Sequence, residues 1–403
     1  VNTTTTTLDF PIQVRNNVHF MLAAFAELTD STLSRLDDQR GNLLMAVEFG
    51  LNYPETVEET GKLMAMVYPL IERRGYIHSW LPVMRRAVQL VSTPLLRLRL
   101  QSQLGHLLSI ERRLDEAIQV LSEIVNTPTI AQDQLLAARA HFRLGNAYYE
   151  KADLTTAEEH AREALSYFHT TRPEMESSLH QGLVNNLMGQ IDQQRGRHEQ
   201  AIQFFQAAIH FFASCGDITY LAGAYSNIGF SKQELQSYSE AIDYYQEALD
   251  LLTGTTSEFQ KCRVYLALGD VYYDIGDWDR SEAAWKAANS PFMQQSGNNY
   301  LLGFVVCNLA LIKIKREAFE AAIELLNEAD HLWMDGEADM YRGHALETKA
   351  KAYEKLGELD KALVACNQAE RLLSRFPEFE WAQERLADTH RRQKRLRQQL
   401  DAR

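Results

Sequence analysis

An all-α solenoid built from stacked helix pairs is what this sequence predicts, and three observations predict it. A small residue recurs at Gly105, Gly145, Gly189, Gly229, Gly269, Ala310 and Ala350, at intervals of 40, 44, 40, 40, 41 and 40 residues. A second set keeps the same rhythm at Ala117, Ala157, Ala201, Ala241, Ser281, Ala322 and Ala362. Only nine prolines and 20 glycines occur in 403 residues, too few for the turns of a strand-rich fold, so helix dominates. A fixed period of this length marks a repeat architecture, in which each thin helix pair buries its apolar face against its neighbours.

The chain begins at Val1 rather than methionine, which predicts a piece of something longer, and residues 1–12, rich in threonine, read as a flexible lead-in. Residues 13–57 form a helical linker segment, with helical apolar spacing in HFMLAAFAEL (19–28) and LSRLDDQRGNLLMAVEFGL (33–51). Residues 58–375 hold seven to eight helix pairs. The first copy, at 63–90, keeps Tyr68, Ile71, Gly75, Trp80, Met84 and Ala87 in register, while Pro69 and Pro82 inside its helices predict a kink or a shortening. In the later copies small residues sit where two helices cross closely, and bulky ones three and four positions on fill the adjoining holes. Gly196, Gly276 and Gly357 fall between paired helices, where a left-handed residue ends a helix at little cost. Pro94, Pro128, Pro173, Pro291 and Pro377 lie near repeat ends, as residues that cannot extend a helix should. Residues 376–403, with Leu386, Leu396 and Leu400, close the stack as a polar capping helix.

These residues resemble the tetratricopeptide repeat: Gly269, Tyr272, Gly276, Ser281, Trp285 and Ala288 fit one copy, and Ala241, Tyr245 and Ala248 fit the second helix of the copy before it. The resemblance implies a tetratricopeptide-type α-α solenoid forming a right-handed superhelix. Its period exceeds the usual repeat of about 34 residues, so helices or linkers are longer by about a turn and a half. Ahead of the repeats, Leu36, Asp37, Asn42, Leu43 and Ala46 resemble the helical segment preceding the tetratricopeptide sensor of bacterial STAND-type signal-transduction ATPases. That resemblance implies a cytoplasmic sensor whose ligand shifts a closed, ADP-held parent toward an open, oligomerising one. A free-standing adaptor that holds a peptide or a protein partner is equally compatible with the repeats.

The formal net charge of −13 argues against broad binding to nucleic acid or anionic lipid, which needs a positive field. No apolar run approaches the roughly 18 residues that cross a bilayer. Residues 385–403 are locally basic, with Arg385, Arg391, Arg392, Lys394, Arg395, Arg397 and Arg403 against Asp388 and Asp401. A positive last helix complements its own dipole and an acidic body, and the tail lacks the interleaved aromatics that stack bases. Catalytic motifs are missing too. The one Gly-Lys pair, Gly61-Lys62, has Thr56 where a phosphate loop needs its first glycine and Leu63 where it needs a hydroxyl. Cys215, Cys262, Cys307 and Cys366 are too far apart for a metal knuckle or disulfide framework, and packing is their expected role. No catalytic residue, metal site or cofactor is expected in this piece.

In the resembled family the first helices line a concave groove that holds a peptide, a protein tail or another helix. Counting from the small crossing residue assigns the groove to Arg139, Phe142, Asn146, Tyr149, Asn186, Gln190, Asn227, Phe230, Arg263, Asp270, Tyr273 and Asn308. Amides donate and accept toward an extended backbone, and aromatics give contact area at low entropy cost. Asn227 and Asn308 share one slot, two residues before the crossing, which related repeats use to grip a peptide's main chain. The expected partner is a protein or peptide, with a small molecule as a further class, and self-association would come through the parent protein.

Overall fold

A computed structural model describes residues 10–24, 40–74, 77–168, 175–255, 257–295, 298–334, 338–377 and 380–402. Among these the regular elements are twenty α-helices and one 3-10 turn, with no strand, as the repeat period predicts. The chain divides into two units, Val1–Gly216 and Asp217–Arg403.

In the first unit, α1 (Phe10–Ala24) and α2 (Arg40–Gly50) pack onto the pair α3 (Val57–Arg74) and α4 (Ile77–Leu90). Val18, Leu43 and Val47 share one core with Leu63, Val67 and Trp80. The segment expected to be a linker is therefore part of the first core, and α1 begins at Phe10, inside the expected lead-in. The lead-in through residue 9, Leu36, Asp37, Gly75, Pro173 and Arg403 lie outside the described residues. The first copy forms a full pair: its helices span 18 and 14 residues and run through Pro69 and Pro82. The expected shortening is absent, because fully buried Leu63, Met64, Ile71, Met84 and Ala87 hold both helices in one core despite the backbone bond each proline removes. Three further pairs follow: α5 (Pro94–Ile110) with α6 (Leu114–Val125), α7 (Gln134–Glu150) with α8 (Leu154–Phe168), and α9 (Met175–Gln194) with α10 (His198–Cys215).

The second unit repeats the theme. Its pairs are α11 (Ile218–Glu234) with α12 (Tyr238–Leu252), α13 (Glu258–Asp274) with α14 (Trp278–Ala288), α16 (Asn299–Lys315) with α17 (Phe319–Leu332), and α18 (Asp339–Lys355) with α19 (Leu359–Leu373). A short helix, α15 (Pro291–Gln295), joins the second pair to the third, and α20 (Glu380–Asp401) packs on α18 and α19 with Ala382 and Leu396 buried. First helices are 17 residues long in α5, α7, α11, α13, α16 and α18, about 25 Å each at the α-helical rise. The lengthened period thus resides in the helices. The one 44-residue interval coincides with the 20-residue α9.

The turn inside each of the seven pairs from α5 onward needs one left-handed residue. Glycine supplies it at Gly196, Gly276 and Gly357, with φ of +70°, +81° and +76°, whereas Arg112, Ala152, Gln236 and Glu317 adopt φ between 58° and 61° without one. In these four pairs the packing imposes a conformation that L-residues disfavour by about 1–2 kcal/mol.

Small crossing residues behave as the register requires. A Cβ on Gly189 would lie 2.5 Å from Phe205, and one on Gly229 would lie 2.8 Å from Tyr245. Gly229→Leu should therefore destabilise by about 1–3 kcal/mol through overpacking. A melting midpoint equal to that of the parent chain would show that the crossing has room and that the register is misplaced.

Candidate functional site

On each first helix one stripe packs against its partner and the opposite stripe stays partly open. In α7, Ala138, Leu144, Gly145 and Ala147 are buried, while Arg139, Phe142, Asn146 and Tyr149 are half-buried. Asn186 and Gln190 on α9 are likewise half-buried beside buried Leu187 and Gly189. The predicted residues of the first unit thus share the equivalent open face of two successive first helices. Phe142 and Tyr149 also pack at the edge of the core formed by Ala138, Ala161 and Val184. Their rings serve the interior as well as the face.

Polar contacts tie this face together from one repeat to the next. Arg139 Nε donates to His180 Nε2 at 2.9 Å, and Gln194 Nε2 donates to the Tyr149 hydroxyl at 3.4 Å. Arg143 donates to Ser102 Oγ at 2.7 Å and lies 5.4 Å from the centre of the Tyr68 ring, whose hydroxyl is hydrogen-bonded to His106. Burial, helped by the Arg143 charge, pushes His106 down to about 3, and burial with Arg139 and Arg143 pushes His180 down to about 2. Both rings are neutral at physiological pH, and the positive charge on this face belongs to the arginines.

In the second unit, Asn227 on α11 is half-buried, and Phe230 is 44 % exposed. Arg263 on α13 is exposed, and Asp270, Tyr273 and, on α16, Asn308 are half-buried. Asn308 Nδ2 donates to Asp270 Oδ1 at 2.9 Å, and Trp285 Nε1 donates to the same oxygen at 3.2 Å and to the Leu266 carbonyl at 3.1 Å. Burial and the neighbouring Asp274 push the Asp270 carboxyl up, against the lowering effect of the two N–H donors, to about 7. Next to it, Gln233 Nε2 donates to Asp274 at 2.9 Å, and the Tyr273 ring sits 5.7 Å from that of Trp285 and 5.4 Å from the Lys315 ammonium. Asn227 and Asn308 share a sequence slot, yet the bond from α16 to α13 gives Asn308 a role within the fold.

His180, Ser102, Trp285 and Lys315 are contacts that slot counting did not single out. The signal that marks several of them is separation by one period: Ser102–Arg143, Arg139–His180 and Gln233–Asp274 lie 41 residues apart, and Asp270–Asn308 lies 38 apart. Elsewhere, Cys262, Cys307 and Cys366 are buried, with thiols pushed up by burial to about 11, 12 and 11; such thiols act as small packing groups. The basic tail is engaged within the chain: Arg391 pairs with Asp388, and Arg392 and Arg395 pair with Glu354. Among the described residues no group of three or more His, Cys, Asp or Glu could hold a metal ion, and no helix is long and apolar enough to cross a membrane.

The tetratricopeptide repeat pattern matches residues 138–168 and 220–288. The 43 kDa receptor-associated protein of the synapse from Tetronarce californica is 23% identical over 181 residues, which are 43% of this chain and 43% of that protein. This chain therefore spans less than half the length of the curated relatives it matches. Among solved structures, a STAND protein with a tetratricopeptide repeat sensor from Pyrococcus horikoshii is similar with a TM-score of 0.54 and 13% identity, over 98% of this chain and 55% of that one. A Rap protein complexed with competence and sporulation factor is similar with a TM-score of 0.55 and 14% identity, over 89% of this chain and 99% of that one. At these identities the likeness is one of fold. It is the fold of tetratricopeptide helix pairs, and a STAND sensor is among its bearers.

Proposed function

We propose that this tetratricopeptide-repeat chain is a ligand-sensing module that binds a protein or peptide along its first helices, and that it serves as the cytoplasmic sensor of a STAND-type ATPase. The observation that carries the reading is the recurrent open face: amides, aromatics and charged groups stand at equivalent positions of α7, α9, α11, α13 and α16, half-buried or exposed beside fully buried crossing residues. Similarity over 98% of the chain to a STAND protein with a repeat sensor supports the parent's class. So does the pre-repeat segment, whose Leu43 and Ala46 lie in the core of the first pair. A sensor needs such mechanical continuity, because a ligand shifts an equilibrium only by its differential affinity for the two states. The activity of the whole protein, including nucleotide hydrolysis and oligomerisation, would reside in its other domains, with no catalytic role for these repeats.

The deciding experiment is sequencing of the coding region upstream of Val1, joined to mass spectrometry of proteins that co-purify with the chain. A nucleotide-binding domain encoded there supports the sensor. Its absence rejects it in favour of a free-standing adaptor, the reading that similarity to a synaptic receptor-associated protein independently motivates.

The asparagine slot makes a separate prediction. Asn227→Ala should weaken binding of the co-purified partner by about 1–2 kcal/mol. Asn308→Ala should do the same and also lower stability by about 1 kcal/mol, since it removes the bond to Asp270. Unchanged affinity by calorimetry in both variants would remove the backbone-grip role.

A further inference from the structure

Among the described residues the buried carboxylates have cations. Glu282, 7% exposed, is paired with Lys286, Lys313 and Arg316; Glu347, fully buried, is paired with Lys351 and Arg392; Asp192, 6% exposed, is paired with Arg197. Half-buried Asp270 stands apart from them. No described Lys, Arg or His forms an ion pair with it, although it lies on the open face of the second unit between Arg263 and Tyr273. Its Oδ1 is nonetheless held in place by two N–H donors from two other helices, Trp285 of α14 and Asn308 of α16. An oriented carboxylate without a countercharge, on the same helix as Tyr273 and one turn before it, is a receptor for a cation, because charge-assisted hydrogen bonds are the strong ones.

We infer that Asp270 is the specificity-determining residue of this face and that it receives a positively charged group of the ligand, a lysine or arginine side chain or a free amine. The inference rests on the reading that the first helices bind a peptide or protein, and it adds the chemistry of one contact. In the unliganded protein burial raises the carboxyl to about 7, so arrival of a cation favours the ionised form and drives off the proton where one is held. Charged and titratable groups from its own and the neighbouring helices lie around it. Asp274 and Arg263 share its helix, and Glu234 and the Tyr245 hydroxyl come from the preceding pair. Glu282, beyond Trp285, is occupied by Lys286, and α16 brings Lys313 and Arg316, both bound to Glu282, and Lys315, which lies over Tyr273 and Trp278.

Two measurements on the full chain test the inference and separate its failure from that of the peptide-binding reading. In the first, random dodecapeptides displayed on phage are selected against the chain and against Asp270→Asn. Expected is enrichment of a lysine or arginine in the peptides selected by the parent chain, a loss of affinity of about tenfold or more for those peptides in the variant, and an affinity that falls about tenfold from pH 8 to pH 6 in the parent only. Peptides selected without a basic residue, or bound equally by Asp270→Asn, leave the peptide groove standing and overturn the role of Asp270. The second measurement needs no peptide ligand. Acetyl-arginine amide is titrated into the labelled protein while the Trp285 indole N–H resonance is followed, with acetyl-glutamine amide as the neutral control. A shift with the cation alone, abolished by Asp270→Asn, supports the inference even if selection yields no binder. An indole signal indifferent to the cation shows that Asp270 is an internal acid and overturns it.

Discussion

Gly269→Leu should be the most damaging of the crossing substitutions, costing about 3 kcal/mol or more, at or above the upper end of what overpacking usually costs. A Cβ alone at position 269 would stand 2.3 Å from Trp285 Nε1 and 2.4 Å from its Cδ1. At Gly229 the nearest atom, on the Tyr245 ring, is 2.8 Å away. The deeper difference is freedom to retreat. Trp285 is 1% exposed, and its indole N–H is bonded to both the Leu266 carbonyl and Asp270. Moving the ring aside breaks both bonds and takes a donor from the half-buried Asp270 carboxyl, so close packing and polar satisfaction fail together. Thermal and urea unfolding of the two variants should rank Gly269→Leu well below Gly229→Leu, and even Gly269→Ala should be measurably unstable. Equal midpoints for the two leucine variants would mean that the indole is not clamped.

That crossing also shows what a sequence can disclose and what it cannot. The small residue and its bulky partner sixteen positions on are visible because they recur at a fixed interval, and recurrence is how a period announces a fold. The open face was legible for the same reason: once the crossing residue is fixed, helical geometry decides which neighbours turn away from the partner. Left-handed turns were legible only where glycine marks them. At Arg112, Ala152, Gln236 and Glu317 the same conformation is imposed by packing, which no local propensity reveals. Pro69 and Pro82 do not mark helix ends as local chemistry suggests, since both helices continue through them within the shared core. The half-buried or exposed placement of the candidate residues was legible by slot, and their bonds were not. That Asn308 faces Asp270, or that Arg139 faces His180, follows from the stacking of successive helices, and only polar residues one period apart hint at it.

The basic C-terminal helix offers the second large effect, because its charge is spent inward. Arg392→Ala should destabilise by about 3 kcal/mol and loosen α20, the helix that closes the second unit. The Arg392 side chain is 14% exposed, contacts Glu354, itself 18% exposed, and lies 3.8 Å from the fully buried Glu347. Removing it leaves two shielded carboxylates short of a cation, which costs more than the pair itself contributes. The figure stays at the low end of the range for broken buried pairs because Arg395 still binds Glu354 at 2.8 Å and Lys351 still binds Glu347 at 2.8 Å. Lys394 and Arg397 are the proper controls: they border an open depression beside Glu370 and His390, and truncating either should change stability by no more than about 0.5 kcal/mol. Hydrogen exchange along residues 380–401 should accelerate in Arg392→Ala and not in Lys394→Ala. Added salt should leave the contrast largely in place, since a shielded pair is screened far less than a surface one. If both variants exchange alike, apolar contacts through Ala382 and Leu396 hold the helix by themselves and its arginines are free to serve a partner.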